Sequence, residues 1–228
     1  RHLEHAAKLA NQCGAKAVSE YQQLNAEVDL VIIAVSDQVI SSVIVQLSSV
    51  LKNVLIVHTS GSTHLSIIAD QHLRSGVFYP LQTFSLERIV DWADTPLFVE
   101  AVDSEDLEIL KKLAESLSKR VYVYDSEQRL SLHLAAVFAC NFSNYCYDIA
   151  KQVVDAKHVD FSLLYPLMFE TAKKAIEHDP RVVQTGPAMR GDQNILNMHQ
   201  QMLEKAGRKD LGVVYKMMSD GIMNIQPE

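Results

Sequence analysis

No run of this sequence comes near the ~18 consecutive apolar residues of a membrane-spanning helix, and no signal-peptide pattern is recognisable. Cysteine is scarce. Cys13, Cys140 and Cys146 are odd in number and form no Cys-x-x-Cys, which argues against a disulfide framework or a zinc knuckle and for a reduced, cytoplasmic setting. Basic residues are the minority, 21 Lys and Arg against 28 Asp and Glu, for a net charge of −7. No Lys/Arg run is long enough to make a basic patch, so a nucleic-acid or anionic-membrane surface is disfavoured, while a local anion pocket stays open. The histidines show no His-x-x-x-His and no carboxylate pairing at ligand spacing, so no metal site is expected. Repeats of 20–50 residues and low-complexity tracts are missing too. What remains is a chain of 228 residues, 48% hydrophobic and 21% charged, long enough to bury a core without staples.

The periodicity changes character once. Leu3, Ala6, Ala7 and Ala10 mark a helix face over 2–13, with Gly14 where a left-handed C′ residue is expected. Ala15–Val18 is a short strand candidate. Asp29–Val35 and Asn53–His58 are continuous β-branched runs of the kind buried on both faces of a parallel sheet. Between them, Ser36 and Asp37 offer an N-cap to a helix carrying Ile40, Val43, Ile44 and Leu47. A short helix over 64–73, strands at Val77–Tyr79, Pro96–Ala101 and Arg120–Tyr124, and an Asp103- or Ser104-capped helix over 105–118 complete an alternation that predicts an α/β domain with a mainly parallel sheet. After Tyr124 only helical patterns follow: a long one from the capping pair Asp125/Gln128 to about Lys157, one containing Pro166, one capped by Asp192, and a last one to the end. The expected division is 1–125, α/β, and 126–228, all-helical.

Four constellations carry candidate chemistry. Two strand ends bear small polar residues, Ala34-Val35-Ser36-Asp37 and His58-Thr59-Ser60-Gly61-Ser62. Ligands of doubly wound sheets bind outside the carboxyl ends of the strands, and small residues let a flat ligand approach the backbone. The same residues also suit ordinary turns and caps. The long helix is apolar nearly all round its middle, which predicts burial, yet it holds His133, Asn141 and Asn144. On an uninterrupted α-helix His133 and Asn144 share a face, with Asn141 about 80° away. Such a set can donate to a substrate oxygen and carry a proton, or it can tie helices together. Arg190, in the Thr185–Asp192 loop, can clamp a carboxylate or phosphate or staple to Asp192. The Tyr79–Phe84 stretch either lines a pocket or plugs the core.

The segments HTSGS at 58–62, GVFYPLQTF at 76–84, SEQRLSLHLAAVFACNFSNY at 126–145 and TGPAMRGD at 185–192, in that order, resemble a bacterial Rossmann-like family of NADP oxidoreductases with a C-terminal helical domain of unknown function. The resemblance spans essentially the whole chain. It implies a fold similar to 6-phosphogluconate dehydrogenase, pyrroline-carboxylate reductase and ketopantoate reductase: a dinucleotide-binding Rossmann-like sheet, then an all-α domain that often forms a homodimer. Family members open with a strand, a Gly-x-Gly-x-x-Gly loop, a helix and a second strand. That unit does not occur in this sequence and is expected to precede Arg1 in the full protein. The resemblance also places Arg1 where an Arg accepts the 2′-phosphate of NADP.

The resemblance implies hydride transfer between NADP and a small carbonyl, hydroxyl or imine substrate. The cofactor-binding residues are expected to be Arg1, Ala34, Val35, Ser36, Asp37, Thr59, Ser60 and Gly61. His133 is the expected acid or base and Asn141 the orienting amide, with Asn144 and Arg190 as substrate contacts. One departure is plain. Related hydroxyacid dehydrogenases carry a Lys four residues before the Asn, and Val137 stands at that position here. This leaves a second reading, a non-catalytic NADP(H)-binding sensor or scaffold that dimerises through its helical domain, and a third, an imine reductase that relies less on a strong side-chain acid.

Overall fold

The computed structural model describes residues 3–24, 27–85 and 88–225. By compactness the chain divides into Arg1–Cys140 and Asn141–Glu228. The last strand ends before 125, but the helix that follows it belongs with the sheet.

In the first unit, helix α1 (Leu3–Gln12) ends at Gly14, whose φ of +63° makes it the left-handed C′ residue. Ala15–Val18 is not a strand; the segment runs on irregularly to a 3-10 turn at Tyr21–Gln23. Strand β1 (Leu30–Ile33) leads through α2 (Asp37–Val50) to β2 (Leu55–His58), then through the short α3 (Ser66–Ala69) to β3 (Ser75–Pro80). These three strands are parallel. β4 (Leu97–Ala101) pairs antiparallel to β3, and α4 (Ser104–Leu117) returns the chain to β5 (Val121–Val123), parallel to β4. The sheet order is β1-β2-β3-β4-β5. Asp103 caps α4 by accepting from the amides of Glu105 and Asp106.

The two-residue strand period sorts the core. Ile56, Val77, Tyr79 and Phe98 face the side covered by α2 and α3, where Ile40, Ile44, Leu47 and Ile68 pack. Leu55, Val57, Phe78, Leu97 and Val99 face the other side, against Leu110 and Ala114 of α4. Each fully buried Ile or Leu here contributes about 1.5–3 kcal/mol.

Helix α5 (Ser126–Ala136) is fixed to this sheet by an ion pair. Asp125 and Gln128 form the expected capping box at its start. Arg129, one turn on, is 1% exposed and pairs with Glu100 at the end of β4. Its guanidinium also donates to the Thr63 carbonyl at 2.5 Å and to Ser126 Oγ at 3.2 Å. Ser126 Oγ donates to Glu100 at 2.9 Å and accepts from the Leu65 amide at 3.0 Å. One network therefore joins β4, the loop after β2 and the first turn of α5.

The expected single long helix is interrupted. Val137–Phe142 forms a π-helical segment before α6 (Ser143–Asp155). An i→i+5 turn inserts a residue and shifts the helical register by about 100°, so the uninterrupted α-helix on which the spacing of His133 and Asn144 was read is not formed. Nor is the middle of this segment buried: Leu134, Phe138 and Phe142 are exposed on the single chain.

The second unit holds α6, a 3-10 turn at Phe161–Leu164 capped by Asp160, α7 (Tyr165–Glu177), α8 (Gln193–Lys205) and α9 (Lys209–Met223). Pro166 sits in the first turn of α7, where its missing N–H costs nothing. Asp192 caps α8. His199 of α8 and Tyr215 of α9 bond at 2.8 Å. No strand follows 125 among the described residues.

If the Glu100–Arg129 pair docks α5, Arg129→Met leaves a largely desolvated carboxylate unpaired and lowers unfolding free energy by about 3–5 kcal/mol. Adding Glu100→Gln should recover part of that loss. Urea unfolding of the two variants measures this; a near-neutral single variant contradicts it.

Candidate functional site

The carboxyl ends of the three parallel strands lie on one edge of the sheet, and the loops that leave them carry the small polar residues. Ala34, Val35, Ser36 and Asp37 follow β1 and are all exposed. Ser36 occupies the N-cap position of α2 without making a side-chain cap bond, which departs from its expected role. The Asp37 carboxylate, in the first turn of α2, instead accepts from Ser62 Oγ of the second loop, a favourable place for negative charge. The Thr59 amide donates to the Ile33 carbonyl at 3.3 Å, and Ser60 Oγ accepts from the amides of Ser62 and Thr63 at 3.1 and 3.0 Å. The two loops are thus bound into one rim.

Gly61 is the tightest point of that rim. Its φ is not in the left-handed region, so its smallness is required by contact. A Cβ there would sit 2.6 Å from Tyr79 Cζ, 2.8 Å from the Tyr79 hydroxyl and 2.7 Å from His133 Nδ1. Tyr79, near the end of β3, is buried against Phe98, its ring centroid 6.2 Å away. His133 arrives from α5, half-buried, with Nδ1 3.4 Å from the Tyr79 hydroxyl and its ring edge-on to the phenol. Burial raises the Tyr79 pKa; Arg129 opposes this and Asp37 adds to it.

Beneath the loop, His58 is fully buried. Its Nδ1 accepts from the Ser60 amide at 3.2 Å, which places the ring proton on Nε2, and Nε2 has no hydrogen-bond partner. Arg129 Nε is likewise buried and unpartnered. Burial, reinforced by the nearby positive Arg129 and only partly offset by Asp37, lowers the His58 pKa to about 4.

The structure therefore brings together Ala34–Asp37, Thr59–Gly61 and His133, all in the first unit. Asn141, Asn144 and Arg190 fall in the second unit and are exposed there. Asp192 is committed to capping α8, accepting from the Ile195 amide at 3.3 Å. Arg1 lies outside the described residues. In the Tyr79–Phe84 stretch, Tyr79 faces the rim while Phe84 is exposed and contacts Trp92.

Sequence reasoning missed Glu100, Ser126 and Arg129 as parts of this site, and left the role of Tyr79 open. The signal for α5 was present. Ser126, Arg129 and His133 recur at i, i+3 and i+7, a polar stripe down one face. Glu100 likewise breaks the apolar run of β4. Among the described residues no group of three or more His, Cys, Asp or Glu could hold a metal ion, and no helix is long and apolar enough to cross a membrane.

This is a Rossmann-like α/β unit followed by a helical one. The model of the family described as a domain of unknown function (DUF2520) matches residues 95–222. A crystal structure named "putative NADP oxidoreductase BF3122 from Bacteroides fragilis" is 38% identical, with a TM-score of 0.89 over 98% of this chain and 86% of that one. The chain belongs to this family. Protein TM1727 from Thermotoga maritima is 26% identical, with a TM-score of 0.73 over 99% and 87% of the two chains. An imine reductase from Myxococcus stipitatus, solved in complex with NADP+, is 12% identical, with a TM-score of 0.70 over 96% and 82%; at that identity the likeness is one of fold. No curated protein matches the sequence.

The folded protein binds the His58 proton more weakly than the unfolded chain does, where imidazole titrates near 6.5. Stability from this group is full above pH ~6.5 and is lost as pH falls toward about 4, by about 3 kcal/mol at most. His58→Asn keeps an acceptor for the Ser60 amide and should show a visibly smaller loss over that window in urea unfolding. Equal losses would contradict the assignment.

Proposed function

We propose that this protein is an NADP-dependent oxidoreductase whose cofactor and proton-transfer group meet on the carboxyl edge of the first unit. The observation that carries this reading is the convergence there of exposed, small-residue backbone at Ala34–Asp37 and Thr59–Gly61 with the titratable ring of His133, at the place where doubly wound sheets bind ligands. The name of the Bacteroides fragilis relative supports it.

The residues present fit the nicotinamide end of the dinucleotide. Val35 is an exposed apolar face, the loop side chains are small, and the buried N–H of His58 lies under the loop without an acceptor. The sequence contains no Gly-x-Gly-x-x-Gly run to cradle the pyrophosphate. When bound, NADP supplies the hydride chemistry. The chain's own residues hold and orient. Ala34–Asp37 and Thr59–Gly61 offer backbone, Asp37 keeps Ser62 and its loop closed, and His133 exchanges a proton with the oxygen or nitrogen of a small carbonyl, hydroxyl or imine substrate. This reading rests on the first unit and asks nothing of Asn141, Asn144 or Arg190. Val137 favours a second reading, in which NADP(H) is bound and sensed without turnover; a screen of 2-oxo acids, aldehydes and cyclic imines separates the two. Three free cysteines fit a reduced, cytoplasmic setting.

The helical unit supports a homodimer. Helices α6 and α7 bury no residue in the single chain, while Phe169, Ile176 and Val182 are 77%, 85% and 81% exposed. Apolar exposure on this scale marks an interface, and we propose that a second copy covers it. Light scattering on the purified protein should return twice the mass of the chain; a monomer at micromolar concentration contradicts this.

Titration of the full protein with NADPH and NADH, followed by nicotinamide fluorescence, tests the cofactor. The expected result is NADPH binding at least tenfold tighter, ~1.4 kcal/mol. Failure of a folded protein to bind either nucleotide refutes the proposal.

A further inference from the structure

We propose that Tyr79 is a positioning residue for His133: its hydroxyl donates to Nδ1 and fixes the imidazole in the tautomer that carries its proton on Nε2. The inference deepens the reading of His133 as the proton-transfer group and rests on it for its catalytic meaning, though the pair itself is a property of the folded protein.

Three observations converge. The first is the contact: Tyr79 Oη and His133 Nδ1 lie 3.4 Å apart, with the rings edge-on at a centroid distance of 6.3 Å. The distance is long for a hydrogen bond, as such bonds commonly are before a ligand tightens them. The second is the way each partner is held. Tyr79 is locked by its register opposite Phe98 and by the ring packing between them. His133 is carried on the helix that Arg129 and Glu100 pin to the sheet. The third is Gly61, whose missing side chain is what lets the two groups meet: a Cβ would intrude within 3 Å of both.

The direction of the bond follows from the donor inventory. A buried phenol must place its O–H on an acceptor, and Nδ1 is the acceptor within reach. Burial also keeps the phenol protonated at neutral pH. With Nδ1 accepting, the neutral ring carries its proton on Nε2, the nitrogen turned away from Tyr79 and able to meet a substrate heteroatom. In the reducing direction the Nε2 proton passes to that heteroatom while Nδ1 takes the proton of Tyr79. Nε2 then recovers a proton from solvent and Nδ1 returns its own to the phenolate, which the positive charge of Arg129 favours in the interval. The other charged group acting on Tyr79 is Asp37 on α2, which opposes the phenolate.

Two-bond 1H–15N NMR of the histidine rings reads the tautomer directly and needs neither cofactor nor substrate. At pH 8, above the ordinary titration range of imidazole, His133 in the native protein should show a protonated Nε2 and a bare Nδ1. Tyr79→Phe removes the donor and should return the ring to the mixed tautomers of free imidazole. Gly61→Ala keeps both side chains but drives a methyl between them, and should produce the same loss. A native His133 protonated on Nδ1, or nitrogen shifts unchanged in both variants, overturns the proposal. Because the readout is independent of nucleotide, a correct tautomer with no NADPH binding would refute the oxidoreductase reading and leave the pair standing.

Discussion

Arg129 carries a full charge at a position 1% exposed to solvent, and such a charge is tolerated only when its partners are fixed. Glu100, Ser126 and the Thr63 carbonyl are those partners, and they come from a strand end, a helix start and a loop. The requirement to satisfy one guanidinium therefore sets where α5 lies on the sheet, how the 58–65 loop is shaped, and which way His133 faces. Removing the charge would loosen all three together. An apolar replacement of the whole network could be as stable, so the network is better understood as fixing geometry than as a store of stability.

The rim built on it is economical in atoms. Gly61 has no side chain because Tyr79 and His133 already fill its space. Ser60 and Ser62 spend their hydroxyls on the loop and on Asp37. The backbone at Ala34–Asp37 is left open to solvent, and His58 gives up its charge to lie under the loop. Each choice leaves free backbone and one titratable ring on the sheet edge, which is what binding a flat cofactor beside a proton-transfer group demands.

Much of this was legible in the residues. The β-branched runs at 29–35 and 53–58 were strands because a parallel sheet buries both faces, and the capping residues Asp103, Asp125 and Asp192 announced their helices. Ala15–Val18 failed as a strand because four apolar-leaning residues without a partner carry little information. The π segment at Val137–Phe142 was invisible, since helical periodicity assumes a constant turn angle, and with it went the unbroken α-helix on which the spacing of His133 and Asn144 was read. Burial of that segment was misjudged for a related reason. Apolar character says that a surface is covered, not whether its own chain covers it. Of the site, the small-residue loops and His133 could be read from local pattern. Glu100, Arg129 and Tyr79 could not be joined, because their contacts span 29 and 54 positions.

The central claim is that the carboxyl edge of the first unit is the nucleotide site. Amide hydrogen exchange of the protein with and without NADPH tests it most directly. The account predicts slowed exchange at Ala34–Asp37 and Thr59–Ser62, where backbone is offered to the ligand. Exchange unchanged at both loops while NADPH is bound elsewhere would contradict it.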